Sequence, residues 1–356
     1  MKIHKNRILL IGSGNIFNKH VLVLEKLKNL FEIAGIVEKN IQKINLLKAK
    51  YNYPVYDNLD YALNNSNFDI ASILTDSGSH AKIAIKIINK KKSIIIEKPI
   101  AVSLQDAEKI VNLENKHKNL NIFVVKQNRF NLPILKLKDA IIKKRFGKIF
   151  LATVRIRWKR DKKYYNSAKW RGKWKSDGGV LCNQAIHHID LLQWLVGDVK
   201  TAFSINSTVS APIETEDTSA AVLKFKNGAT GIIEATTACR PDNLEGSISI
   251  LGTKGTVIIG GFSANKLLEW KFTNKTKDDV KIFSTTYQPK NLPWGHLKFY
   301  EYVDQFLKSK STKKNNFVNA KEAIKSLKIV TALIKSNSIS KPVKLNSNLS
   351  TTKLGK

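Results

Sequence analysis

The hydrophobic pattern of the chain changes its period near residue 128. Before that point, short apolar runs at Arg7–Ile11, Ile33–Glu38, Ile70–Thr75, Ser93–Glu97 and Ile122–Lys126 alternate with amphipathic stretches. The runs lack polar alternation, which predicts parallel strands covered on both faces by helices. Between them Val21, Leu24, Leu27 and Leu30, and later Ile83, Ile87 and Ile88, recur at helical spacing. Ser103-Leu104-Gln105-Asp106 opens another helix like a capping box. The result is an α/β grammar of βαβ units, which builds a doubly wound parallel sheet.

Beyond Asn128 one helix is expected over Ile134–Lys144, then a half-buried strand over Ile149–Trp158 and a helix over Val180–Leu195. Alternating strands follow at Ala202–Val209, Thr218–Phe225, Thr230–Thr237, Ile248–Leu251 and Thr256–Ile259. Lys226-Asn227-Gly228 and Gly252-Thr253-Lys254-Gly255 join neighbours as hairpins. Two late helices, His296–Lys308 and Ala320–Ser336, precede a polar tail expected to be partly disordered. The expected organisation is a doubly wound domain at 1–127, an α+β domain with an open, mostly antiparallel sheet at 128–340, and a tail at 341–356.

Composition agrees with two domains in 356 residues, with 42% hydrophobic and 25% charged residues. No apolar run approaches the ~20 residues of a membrane helix, and Ile8–Ile11 is too short for a secretory signal. Two cysteines, Cys182 and Cys239, give no disulfide framework. A cytoplasmic protein without a membrane partner is therefore expected. Charge is the unusual quantity: 61 Lys+Arg against 28 Asp+Glu, a net +33. Such an excess attracts polyanions. The lysines are nevertheless spread along the chain, as in Lys90-Lys91-Lys92, Lys143-Lys144 and Lys313-Lys314. Compositional bias with an anionic small-molecule substrate explains this better than a dedicated nucleic-acid surface.

Candidate chemistry begins at Gly12-Ser13-Gly14-Asn15-Ile16, between the first strand and first helix. Glycines there let the backbone approach a pyrophosphate, which the helix N-terminus stabilises. Phe17 stands where a third small residue belongs, so the fingerprint is imperfect. Glu38 ends the second strand, where a carboxylate accepts from the adenosine ribose and repels a 2′-phosphate; this favours NAD over NADP, with Lys39 softening the preference. Thr75, Asp76, Ser77 and His80 follow the third predicted strand at the ligand-binding edge, where a simple helix start would also use such residues. Glu97-Lys98-Pro99 follows the fourth, placing Glu97 and Lys98 at the cofactor, with Lys98 beside the nicotinamide and able to hydrogen-bond a substrate hydroxyl. A solvated lysine is the plainer alternative.

A second constellation runs from Asp177-Gly178-Gly179 into a helix on which Asn183, His187 and Asp190 share one face. His187 suits a general base, His188 a core position, and no set of residues has metal-ligand spacing, so no metal is expected. Upstream, Arg157, Tyr165, Trp170 and Arg171 mix cations with aromatics, which could grip an anionic sugar or nucleotide or stack on nucleic acid.

These residues together resemble the Gfo/Idh/MocA family of oxidoreductases, over nearly the whole chain to about residue 335. The resemblance implies a Rossmann domain binding NAD(P), a second α+β domain, and Lys98 with His187 as the catalytic pair. It implies Gln127 near the nicotinamide and Trp170-Arg171 in part serving the cofactor. Most members carry aspartate where this chain has Asn183, which implies that Asn183 orients substrate or ring and takes no proton. Lys126 to Asn131, Trp170-Arg171-Gly172 and Asn183-Gln184 through Trp194 are similar to the branch that oxidises the 3-hydroxyl of UDP-N-acetyl-2-amino-2-deoxyglucuronate in surface-polysaccharide synthesis. Substrate contacts are expected at Lys98, Arg157, Tyr165, Arg171, Asn183, Gln184 and His187. An inositol or free-sugar dehydrogenase is the alternative, a non-catalytic NAD- or polyanion-binding protein the rival of another class. Homodimers or homotetramers are common among relatives.

Overall fold

A computed structural model describes residues 5–117, 119–286, 292–309 and 318–356. Lys313-Lys314 therefore lie outside the described residues. The chain divides into two compact units.

The first unit comprises the chain up to Ala101, Gln105–Gln127 and the described residues between 291 and 323. Its six strands are β1 (Asn6–Ile11), β2 (Phe31–Val37), β3 (Val55–Tyr56), β4 (Ile70–Ile73), β5 (Ser93–Ile96) and β6 (Ile122–Val124). They are all parallel, in the order β3-β2-β1-β4-β5-β6. Ile8, Leu9, Leu10, Ile94, Ile95 and Ile96 are wholly buried, as unbroken apolar strands between two helical layers must be. The strand order reverses between β1 and β4, which leaves a crevice at their carboxyl ends. Loop residues after β1, β4 and β5 meet there.

The expected boundary at 127/128 omitted one part of this unit. The helix Trp294–Ser309 and the described residues 318–323 belong to it. Val318 accepts the Val124 N–H at 2.8 Å, and Glu114 accepts from the N–H groups of Ala320 and Lys321. Phe306 packs edge-on against Phe123.

The second unit is built on an eight-stranded sheet in the order β13-β12-β11-β7-β10-β9-β8-β14. Its strands are β7 (Ile149–Arg157), β8 (Val199–Ser207), β9 (Thr218–Phe225), β10 (Thr230–Thr236), β11 (Glu245–Gly252), β12 (Gly255–Gly260), β13 (Lys266–Phe272) and β14 (Val343–Lys344). Every pairing is antiparallel except β7 with β10, where Val154 stands beside Ile233. Alternate residues of β9 are buried and exposed, so one face is covered and the other open. Both expected hairpins form, β9–β10 and β11–β12.

The tail is ordered, contrary to expectation. β14 pairs with β8, and Leu349, Thr352 and Leu354 are buried. Its apolar residues stand singly among polar ones, so periodicity does not show them.

Helix Ile186–Val196 lies under the covered face and is buried on nearly every side. Asp190 meets Arg129 in a bidentate pair at 2.7 and 2.9 Å, both side chains about 1% exposed, and Arg129 also lies 4.8 Å from the Trp194 ring. Such a pair stabilises little against an apolar equivalent, but breaking it strands a charge. Asp190→Asn keeps the shape and removes the charge. Its expected cost is roughly 3–5 kcal/mol, read as an earlier unfolding midpoint in urea followed by tryptophan fluorescence.

Candidate functional site

In the first unit the glycine loop closes β1. Gly12 has φ +93°, and a β-carbon there would stand 2.9 Å from Thr75 Cγ2. At Gly14 a β-carbon would find only the Leu74 carbonyl at 3.8 Å, so this position opens to ligand. Asn15 is exposed, and no side chain caps the following helix at Ile16. A helix start with backbone this accessible suits a pyrophosphate. Phe17, the departure from the fingerprint, is buried and packs edge-on to Tyr51. It therefore turns into the core, away from the loop.

Glu38 is bound to the same loop. Its Oε2 accepts from the Ser13 N–H at 3.0 Å and the Ser13 hydroxyl at 2.5 Å, while Oε1 accepts from the Asn40 N–H at 3.0 Å. Burial alone would raise this carboxyl, but these donors hold it below the usual carboxylate range. A fixed negative charge thus stands at the end of β2, and in dinucleotide folds such a charge accepts from a ribose diol and repels a 2′-phosphate. Lys39 points into solvent. The donor set and the open glycine positions fit a dinucleotide.

After β4, the Ser79 hydroxyl donates to Thr75 Oγ1 at 2.7 Å and the Asp76 carbonyl at 2.9 Å, and Ser77 is buried in a short 3-10 turn. His80 differs from the expected cofactor contact. Its ring is buried, with Nδ1 2.7 Å from the Pro99 carbonyl and Nε2 3.2 Å from the Thr75 carbonyl. It ties the two loops of the crevice together, and burial lowers its pKa. Glu97 differs likewise. Its carboxylate turns inward, 5% exposed, accepting from His20 at 2.9 Å and from the Lys98 N–H at 3.0 Å. Lys98 itself is half-buried and precedes a cis peptide to Pro99. Gln127 heads a 3-10 turn directly after the sheet's last strand.

In the second unit the expected single helix over 180–195 is two pieces. Val180–Gln184 is one π-helical turn, closed by Ala185 N–H to the Val180 carbonyl at 2.8 Å, and the α-helix begins at Ile186. The wider turn breaks the α-helical phase between Asn183 and His187. The stripe of three divides: Asp190 serves Arg129, whereas Asn183 and His187 are 5% and 7% exposed. Asn183 donates its amide to Asp177, whose other oxygen accepts the Gly172 N–H at 2.6 Å. Asp177 thus joins the tryptophan-arginine segment to the site helix. His188 is wholly buried, edge-on to Trp158, and burial pushes it down to about 4, a neutral core histidine.

Gly178 and Gly179 have φ +77° and +79°, and a β-carbon on Gly179 would meet the Glu216 carboxyl at 2.3 Å. Glu216 Oε1 accepts the Leu181 N–H at 3.1 Å, and burial pushes this carboxyl up to about 8. Glu216 was not singled out from the sequence, and Asp177 stood there only at the head of the glycine turn with no role assigned, since their contacts come from the folded turns.

Of the expected substrate residues, Arg171 lies 4.0 Å from the Tyr164 ring and 4.7 Å from the Trp170 ring, and donates to Ser167. Gln184 donates to the Tyr164 hydroxyl at 2.9 Å. Tyr164, absent from the expected set, therefore joins Arg171 to Gln184. Tyr165 is hydrogen-bonded with Thr237 at 2.9 Å, and burial pushes its phenol up to about 12. Arg157 departs from the expected anion grip. Its guanidinium is engaged by Glu234 at 2.5 and 2.8 Å and Glu245 at 3.1 Å, on the sheet itself. Among the described residues no helix is long and apolar enough to cross a membrane.

Comparison with known proteins follows the same halves. Residues 6–125 match an oxidoreductase family's NAD-binding Rossmann fold, and residues 138–345 its C-terminal alpha/beta domain. The WlbA dehydrogenase of Bordetella pertussis, crystallised with NADH and UDP-GlcNAcA, is 34% identical with a TM-score of 0.93, over 98% of this chain and all of that one. Its counterpart from Chromobacterium violaceum, with the same ligands, is 32% identical with a TM-score of 0.91, over 98% of each chain. Myo-inositol 2-dehydrogenase of Thermotoga maritima is 24% identical over 265 residues, 70% of this chain and 74% of that protein.

Two outcomes are expected from this geometry. Gly12→Ala strains the turn and crowds Thr75, so NADH binding, read by fluorescence titration, should weaken at least about tenfold while circular dichroism is unchanged. Glu216 binds its proton more tightly folded than unfolded, so the wild type should lose stability as pH rises from 4.5 to about 8. Glu216→Gln should flatten that decline, as measured by thermal midpoints across the range.

Proposed function

The chain belongs to the Gfo/Idh/MocA family of NAD-binding oxidoreductases, and from that premise we propose that it oxidises the 3-hydroxyl of a UDP-N-acetylglucosaminuronate-type nucleotide sugar. The observation that carries this reading is the full-length likeness to two dehydrogenases crystallised with NADH and UDP-GlcNAcA. A surface-polysaccharide precursor is the expected setting for such a sugar.

Residues of each unit have distinct tasks in this reading. Glu38 accepts from the adenosine ribose, and the backbone at Gly12 to Gly14 receives the pyrophosphate. NAD held there would supply the acceptor for the hydride of the carbinol carbon. Lys98 donates a hydrogen bond to the reacting hydroxyl oxygen and steadies it as the carbonyl forms. His187 accepts the hydroxyl proton, a task suited to imidazole near neutral pH. Asn183, held by Asp177, orients substrate and moves no proton. Arg171, backed by Trp170 and Tyr164, supplies positive charge for a diphosphate or carboxylate. Arg157 has no part, because its fork is engaged by Glu234 and Glu245.

The likeness to myo-inositol 2-dehydrogenase supports a second reading, a cyclitol substrate. NADH formation with UDP-GlcNAcA, compared with myo-inositol at matched concentration, separates the two. Turnover of inositol alone would remove the nucleotide sugar. Lys98→Met should retain NADH binding and lose kcat by roughly 10²–10⁴-fold; near-normal turnover in that variant would refute the role given to Lys98.

A further inference from the structure

Glu97 stands next to the reacting lysine, yet its carboxylate faces a buried polar cluster that the mechanism above leaves unused. Four elements of the first unit meet there: Ser72 of β4, Glu97 at the end of β5, His20 of the helix Phe17–Lys26, and His296 with Tyr300 of the helix Trp294–Ser309. Ser72, His20 and Tyr300 are wholly buried, His296 is 4% exposed and Glu97 5%.

The hydrogens in this cluster have one consistent direction. A carboxylate only accepts, so His20 Nε2, 2.9 Å from Glu97 Oε1, carries the proton. His20 Nδ1 then accepts, and its partner at 2.8 Å, the Tyr300 hydroxyl, donates. Burial raises the Tyr300 phenol, which keeps it a donor. Ser72 Oγ, 3.4 Å from the same hydroxyl, completes the row. At the other end, Glu97 Oε2 accepts the N–H of Lys98 at 3.0 Å. His296 Nε2 stands 3.7 Å from Glu97 Oε1, its ring edge-on to His20 at 5.2 Å. Burial alone would raise the Glu97 carboxyl, but the ring nitrogens of His20 and His296 hold it well below the usual carboxylate range.

The arrangement is built deliberately in the backbone as well. His296 and Tyr300 are four residues apart, hence on one face of their helix. Gly295 lets that helix approach, since a β-carbon there would stand 2.5 Å from the Gln127 carbonyl oxygen. His20, Glu97 and His296 also have the composition of a metal site, their ligand atoms lying within 4.8 Å of one another. Both His20 nitrogens are engaged in hydrogen bonds of normal length, however, and the row above accounts for them.

We propose that His20, Tyr300 and His296 are positioning residues for the dehydrogenase reaction, holding the Glu97 carboxylate fixed so that its second oxygen sets the main chain of Lys98. The inference rests on the role given to Lys98. Its observable consequence separates chemistry from binding: disturbing the row moves Lys98 while the nucleotide loop at Gly12 to Gly14 stays in place. It also has a sign in pH. Removing donors from a carboxylate makes it easier to protonate, so the acid limb of turnover moves to higher pH. Groups bearing on it are the buried His80, whose ring feels the Glu97 charge, Lys19, through its charge on His296, and the cluster's own members.

The test compares His20→Leu, His20→Gln and Tyr300→Phe with the wild type, using NADH fluorescence titration, thermal midpoints and the pH profile of kcat. The substrate is UDP-GlcNAcA or myo-inositol, whichever the wild type turns over. Expected for His20→Leu and Tyr300→Phe is a kcat about tenfold lower, KM and NADH affinity within about threefold, and an acid limb displaced upward by about one pH unit. His20→Gln retains an amide donor toward Glu97 and should recover most of the kcat lost in His20→Leu. Tyr300→Phe keeps the ring and so guards against misfolding. Loss of turnover in Lys98→Met, with wild-type kcat and acid limb in folded Tyr300→Phe and His20→Leu, would overturn this inference alone. Retained turnover in Lys98→Met would remove the role of Lys98 and the inference with it. A stoichiometric transition metal in the native protein, absent from the His20 variants, would overturn the hydrogen-bonded row.

Discussion

Strands β1 and β4 end so close together that the dinucleotide loop can form only where Gly12 has no side chain. The neighbouring atoms are Thr75 Cγ2 and Thr75 backbone, all within about 3 Å of a hypothetical β-carbon. That approach lets Ser13 reach Glu38, and Glu38 in turn reaches the Asn40 N–H, so the loop, the strand end and the next helix start form one bonded unit. The second unit repeats the principle with different parts. There the missing side chain is at Gly179, and the space is filled by the Glu216 carboxyl, which accepts from the first turn of the π segment carrying Asn183. In both units a glycine at positive φ brings a carboxyl group to the start of a helical segment, and the candidate site residues follow.

Much of the fold was legible because central strands carry unbroken or alternating apolar residues. Thr218–Phe225 is bounded in the structure as its periodicity predicts. The strands that escaped notice, β3, β13 and β14, all lie at the margins of their sheets. β3 and β14 are two residues long, and Lys266, Glu269 and Lys271 interrupt the pattern of β13. Short or charged edges are how sheets avoid pairing with other chains, so they give the weakest periodic signal.

The candidate site was legible as residue types at strand ends and helix starts, less so as contacts. Glu97 and His80 were placed at the correct edge, but a side chain at such an edge can face ligand or core. Both face the core, because their partners at His20 and Pro99 lie 77 and 19 residues away. Arg157 looked available because Glu234 and Glu245 become its neighbours only when β7 is inserted between β10 and β11. The positive charge is similarly local in part. Lys90 to Lys92 and Lys143-Lys144 close the helices His80–Asn89 and Leu132–Ile142, where cations complement the helix dipole.

The return of the chain to its first unit has a consequence for how the protein is made. Glu97 leaves the ribosome some two hundred residues ahead of His296 and Tyr300, after which the entire eight-stranded sheet except its last short strand is synthesised. During that interval the nascent Rossmann sheet has its nucleotide loop, but β6 has no Val318 beside it and the Glu97 carboxylate has only part of its retinue. Domains usually complete in order from the N-terminus; here the earlier domain is finished by residues translated after most of the later one. A fragment cut at residue 127 would therefore be an unfinished domain, and chain continuity through the second unit is a condition of the first unit's completion.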